Sequence, residues 1–213
     1  CPLCVEGFLY VFAPVVAAFL FSRMGLLRLK VASVSVLFST IIFLAGGILG
    51  TFHHLYFSAT PTAVLALGAT FSALEIVPLV LIGYEAYHNY SLSRSTPWIK
   101  AYKWPIYYFI AMCFWNFLGA GIFGFAINPP IALYYIQGLN TTAVHGHAAL
   151  FGVYGILGIG LILFVLRGLY PDREWNDKLL GWSFWLINIG LLVMLVGSLL
   201  PIGILQAVES IQN

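Results

Sequence analysis

The residues of this chain best suited to chemistry are two pairs of histidines. His53 and His54 are adjacent in "GTFHHLYFSATP" (50–61), and His145 and His147 flank one glycine in "TTAVHGHAALFGVYG" (141–155). Neutral imidazole is a good ligand for iron, copper or zinc, and a carboxylate added to imidazoles moves the preference toward iron. Glu6 and Glu75, both among apolar residues, could supply one. Spacing separates the two pairs. Residues two apart on an α-helix point about 200° away from each other, so His145 and His147 leave on opposite faces and suit two cofactors rather than one metal. Adjacent residues are about 100° apart, so His53 and His54 can both reach one metal if the helix end distorts. His88, beside Asn89 near a basic stretch, reads as an interfacial residue bonded to its neighbours. Cys1 and Cys4 form a C-x-x-C that reads as incidental, and with Cys113 they make no disulfide framework.

These residues must be positioned inside a membrane. Across 213 residues, 62% are hydrophobic and 8% charged, with a mean hydropathy of +0.98, a surface too poor in charge for a soluble fold. Six apolar spans are expected at about 5–21, 31–57, 61–87, 105–127, 141–166 and 179–205, each able to cross a hydrocarbon core of roughly 30 Å as a helix. Their continuous apolarity excludes an alternating β-barrel pattern. The fold class is therefore all-α, a polytopic membrane helix bundle forming a single domain over 1–213. Pro14 and Pro78 predict local bends. Gly119, Gly121 and Gly124 predict close helix contact in the fourth span.

All nine basic residues fall in three clusters: Arg23, Arg28 and Lys30; Arg94, Lys100 and Lys103; Arg167, Arg173 and Lys178. With six spans these clusters share one side, which the positive-inside rule makes cytoplasmic, leaving both ends of the segment on the periplasmic side. Trp98, Trp104, Trp175 and Trp182 are expected at that inner interface. Glu6, His53, His54, His145 and His147 then gather toward the outer side. An ionisable group held in lipid costs roughly 2.5–3.5 kcal/mol or more, which makes each a functional candidate facing the bundle interior. Glu75 is displaced in depth: about 20 Å below Pro61 at 1.5 Å per residue, while His54 lies near the outer surface. No basic tract suggests nucleic acid, and no signal-peptide pattern opens the chain.

The stretches "CVEG" (4–7), "GTFHHLYF" (50–57), "ALE" (73–75) and "TTAVHGHAALFGVYG" (141–155) resemble the catalytic, or large, subunit of bacterial respiratory nitric oxide reductases, in particular the quinol-dependent single-chain type, within the haem–copper oxidase superfamily. The resemblance implies part of the haem–copper oxidase fold in a bacterial inner membrane. It implies that Glu6, His53 and His54 bind a non-haem iron, that His145 is the axial ligand of a high-spin haem b, and that His147 ligates a low-spin haem b. Glu75 matches a glutamate associated with proton supply, so Glu6 and Glu75 are the implied catalytic residues. The implied reaction couples two nitric oxide molecules to nitrous oxide and water. The implied partners are membrane lipid, quinol or another electron donor, nitric oxide, and the remaining helices of the same subunit.

The family pattern is not matched everywhere. Pro2 stands where the family has a further histidine ligand, and Tyr10 where it has a second glutamate. The opposite axial ligand of the low-spin haem and a final helix have no counterpart here, so the resemblance implies a fragment of a larger subunit. Three other functions compete with this one: an oxygen reductase fragment, disfavoured because Glu6 occupies a position where those enzymes ligate copper with histidines; a catalytically dead remnant; and an ion or proton transporter bundle, which adjacent histidines and His-Gly-His fit poorly.

Overall fold

The computed structural model describes residues 11–25, 27–42, 44, 47–50, 52, 55–74, 77, 80, 84, 87–88 and 97–213. Among them every regular element is helical, as expected where the solvent offers the backbone no hydrogen-bond partners. Three 13-residue helices come first: α1 (Val11–Arg23), α2 (Leu29–Ile41) and α3 (Thr62–Leu74). Three long apolar helices follow: α4 (Lys103–Ile127), α6 (Asn140–Leu169) and α7 (Asp177–Gln212), with the short α5 (Pro130–Ile136) between the first two.

The long helices carry the fourth, fifth and sixth expected spans, each longer than the apolar run that announced it, α7 by the most. At 36 residues, α7 is about 54 Å long, well beyond the hydrocarbon thickness. The shorter helices cover parts of the first three expected spans, and much of the rest of those spans lies outside the described residues. The full count of six spans therefore remains an expectation. The bend expected at Pro78 also lies outside the described residues, whereas Pro14 falls within α1.

Glycines set how closely the long helices approach. A Cβ on Gly160 of α6 would come within 2.7 Å of the Phe109 ring on α4, and one on Gly152 within 2.8 Å of Trp115 Cβ. A Cβ on Gly119 of α4 would come within 2.6 Å of the Ala148 carbonyl carbon. The pairings run antiparallel, so small residues admit large ones all along the α4–α6 seam. Inside a membrane such packing takes over the role that water expulsion plays in soluble cores. The close contact expected of the fourth-span glycines is found at Gly119 and Gly124.

Hydrogen bonds join α4 to α7, which run parallel. Asp177 accepts from the Trp104 indole and, at 3.0 Å, from the Lys103 ammonium. Tyr108 and Ser183 share a hydroxyl contact of 3.1 Å, and the Trp115 indole donates to Asn188 Oδ1 at 2.8 Å. The Asn188 amide N–H is used as well, on the Phe184 carbonyl. Each such bond between membrane helices contributes about 0.6 kcal/mol on average, so the ladder orients as much as it stabilises. Trp104, at the start of α4 where the inner interface is expected, packs inward onto Asp177 and is only 7% exposed. Trp175 instead lies beneath the Arg167 guanidinium, 3.9 Å from its ring centre. The Phe21 ring of α1 meets Phe109 edge to face at 6.2 Å, which ties the α1–α2 pair to this core.

Each long helix contains a π-helical stretch: Asn116–Phe123 in α4, Leu150–Gly155 in α6 and Leu195–Leu199 in α7. The one in α7 closely precedes Pro201. A proline cannot donate to the carbonyl four residues back and its ring crowds that group, which a wider turn accommodates. The glycine seam predicts an asymmetry between neighbouring positions. Gly160→Val should lower resistance to unfolding in detergent by roughly 1–3 kcal/mol, the usual cost of overpacking. Gly158→Val, at a position with open space around it, should change it far less, and equal losses would contradict the seam.

Candidate functional site

The turn that launches α6 is fixed before either of its histidines is reached. Gly138 takes φ +80, a conformation that costs glycine little. Leu139 donates its N–H to the Ile136 carbonyl, and the Thr142 hydroxyl bonds the same carbonyl. His145 and His147 follow within the first α-helical stretch, Asn140–Ala149.

His145 is half-buried and faces α4. Its Nδ1 lies 2.8 Å from the carbonyl oxygen of Gly119. A carbonyl can only accept, so Nδ1 carries the proton and Nε2 keeps a free lone pair. Gly119 lies in the π-helical stretch of α4, where its oxygen also accepts the N–H of Gly124, five residues on. One oxygen thus closes the widened turn and aims the imidazole. Two absent side chains make room for this. A Cβ on Gly119 would strike the α6 backbone, and one on Gly124 would come within 3.1 Å of His145 Cε1.

His147 is exposed and held differently. Its Nδ1 lies 2.8 Å from the carbonyl of Ala143, one turn back on its own helix. The same logic puts a proton on its Nδ1, which leaves Nε2 as the ring atom open to a ligand. The two rings therefore leave α6 in different directions, as the two-residue spacing requires, and both have Nδ1 committed to a carbonyl. Metal-bound histidines commonly donate their other ring N–H to a carbonyl or carboxylate, which fixes the ring and strengthens it as a ligand. These two residues fit axial haem ligation on that ground.

The other expected site residues, Glu6, His53, His54 and Glu75, lie outside the described residues, as do Pro2, Tyr10, Cys1 and Cys4. Among the described residues no group of three or more His, Cys, Asp or Glu side chains gathers as a metal site. His88 stacks on Tyr84 at 6.2 Å and is exposed, in keeping with its assignment as an interfacial residue. A cavity of about 810 Å³ opens between α4, α7 and Tyr84 and Tyr87, and among the described residues its lining contains no histidine. Reasoning from the sequence missed Gly119 as an acceptor, because a carbonyl leaves no mark on residue type. The glycine run in the fourth span was the only available signal.

Comparison with known proteins identifies the scaffold. Residues 3–212 match the family described as "Cytochrome C and Quinol oxidase polypeptide I". The chain belongs to this family. Within it, the chain is 34% identical over 154 residues to a nitric oxide reductase subunit of Stutzerimonas stutzeri, covering 70% of this chain and 31% of that protein. It is 27% identical over 146 residues to the cytochrome c oxidase subunit 1 homolog of Agrobacterium tumefaciens (strain T37), covering 66% of this chain and 26% of that protein. The chain thus spans about a third or less of the length of these relatives. Members of this haem–copper oxidase family bind haem and metal, and the long apolar helices agree with a multi-pass protein of the inner membrane.

The imidazole slot generates a test. Gly124→Leu places a branched side chain where His145 Cε1 already leaves little room, and should sharply reduce bound haem per protein in the purified haem-loaded protein. Gly190→Ala, in open space on α7, should leave haem content unchanged. Full haem content in Gly124→Leu would contradict the slot.

Proposed function

We propose that this chain is part of the catalytic subunit of a quinol-dependent nitric oxide reductase, its single transmembrane domain completed by further helices of the same subunit. In this reading two nitric oxide molecules, two electrons and two protons give nitrous oxide and water. The observation that carries it is the pair of α6 histidines with both Nδ1 atoms committed to carbonyls, in a chain 34% identical to a nitric oxide reductase subunit. His145, half-buried against α4, would hold the high-spin haem b, and His147, on the other face, the low-spin haem b. Glu6, His53 and His54 would hold the non-haem iron, with Glu75 moving protons toward it. The haems and iron, when bound, supply electron transfer and the reductive coupling of nitric oxide.

The chain's own contribution is positional. Gly119 and Gly124 hold one imidazole still. The rigid helix turn between Ala143 and His147 holds the other, and the two-residue spacing keeps two cofactors on either side of one helix at short range. The basic clusters would face the cytoplasm, with both ends of the segment periplasmic. A second reading, reduction of oxygen, draws on the 27% identity to a cytochrome c oxidase subunit 1 homolog. Glu6 weighs against it, since a carboxylate suits iron better than copper.

Single replacements test the assignment. His147→Ala in the complete haem-loaded subunit should remove the low-spin haem signal and keep the high-spin one, while His145→Ala does the reverse. Both should reduce anaerobic nitric oxide consumption with quinol to background. Loss of the same haem in both variants, or brisk oxygen uptake by a wild-type protein inert to nitric oxide, would contradict the reading.

A further inference from the structure

α6 does not cap its own beginning. Leu139, the residue flanking it, offers no side-chain acceptor, and a helix leaves its first four N–H groups without partners inside the helix. The acceptor comes from another helix: Gln206 of α7 receives the Asn140 N–H on Oε1 at 3.0 Å. One turn earlier on α7, Gly203 lets the two backbones close in. A Cβ there would lie 2.5 Å from the Thr141 nitrogen and 3.0 Å from the Asn140 carbonyl carbon. Together Gly203 and Gln206 fix where along its axis, and at what rotation, α6 starts.

The two histidines depend on that start unequally. His145 has a direct tether to a neighbouring helix through Gly119. The His147 ring bonds back to its own helix, on Ala143, so its position follows whatever α6 does. Asn140 and His147 are about 10 Å apart along the helix axis, so a tilt or rotation of the first turn about the Gly119 contact bears on the second imidazole, which has no tether to a neighbouring helix among the bonds described. We propose that Gln206, one turn beyond the close α6–α7 approach at Gly203, is a positioning residue for His147. It caps α6 from α7 and thereby sets the plane of the exposed imidazole relative to the cofactor it serves. This rests on the reading of His147 as a haem ligand given above.

The test uses the complete haem-loaded subunit, whose further helices supply the second axial imidazole, and a signal that general loosening of the bundle would not move selectively. In a low-spin haem with two imidazole ligands, the largest ferric g value depends on the angle between the ring planes. Gln206→Leu should shift that g value while leaving the high-spin signal in place. Gly203→Ala, which pushes the α6 backbone away while keeping the amide, should shift it too. Gln206→Glu keeps an acceptor that a helix N-terminus favours, and should restore the wild-type value. Amide exchange over residues 140–143 should quicken in Gln206→Leu and not in Gln206→Glu.

An unchanged low-spin signal in Gln206→Leu, or equal disturbance of both haems, would overturn the proposal. A wild-type protein with no low-spin signal dependent on His147 would instead refute the ligand assignment. The exchange measurement then decides the cap by itself, and unaltered exchange in Gln206→Leu would overturn it.

Discussion

Hydrocarbon offers an imidazole no water, so every ring nitrogen within a membrane bundle must find a protein partner or a metal. The Gly119 carbonyl meets that requirement for one nitrogen of His145 and so determines what the other can do. With Nδ1 committed as a donor at 2.8 Å, Nε2 becomes a Lewis base of fixed direction. Much of the surrounding architecture serves this one contact. The π-helical stretch of α4 presents the oxygen, the glycine at that position lets α6 approach, and the missing side chain at Gly124 leaves the ring its space.

The rest of the bundle makes such a contact sustainable. A close α4–α6 seam needs rigid backing, which α7 provides by gripping α4 through Asp177, Ser183 and Asn188 and the start of α6 through Gly203 and Gln206. Trp115 links the three: its ring fills the space left by Gly152 of α6, and its N–H reaches Asn188 of α7. Trp104, Trp115, Asp177, Asn188 and Gln206 find their hydrogen-bond partners within the bundle, so these contacts orient the helices without depending on lipid. His147 is the complementary case, an imidazole satisfied within its own helix and turned outward.

Much of this was legible in the sequence. Apolar length gave the three long helices, glycine clustering gave the α4 contact surface, and a two-residue spacing gave divergent histidines. The motif around His145 and His147 pointed to the family that the comparison then established. Other features left no such trace. The π-helical stretches depend on packing that no local pattern encodes, apart from Pro201 just after the one in α7. The bond from Trp104 to Asp177 was not legible either, because indole preference for the interface says nothing of a carboxylate on another helix. The cap from Gln206 joins residues 66 positions apart, beyond the reach of helical periodicity. The expected iron ligands Glu6, His53 and His54, and Glu75, remain expectations drawn from the resemblance.

The central claim is that His145, held by Gly119, presents Nε2 to a haem iron. Resonance Raman spectroscopy of the reduced haem-loaded protein tests it most directly. An iron–histidine stretching band should appear for the high-spin haem, move when histidine is isotopically labelled, and vanish in His145→Ala. A band that survives the loss of His145, or a high-spin haem with no such band at all, would contradict the account.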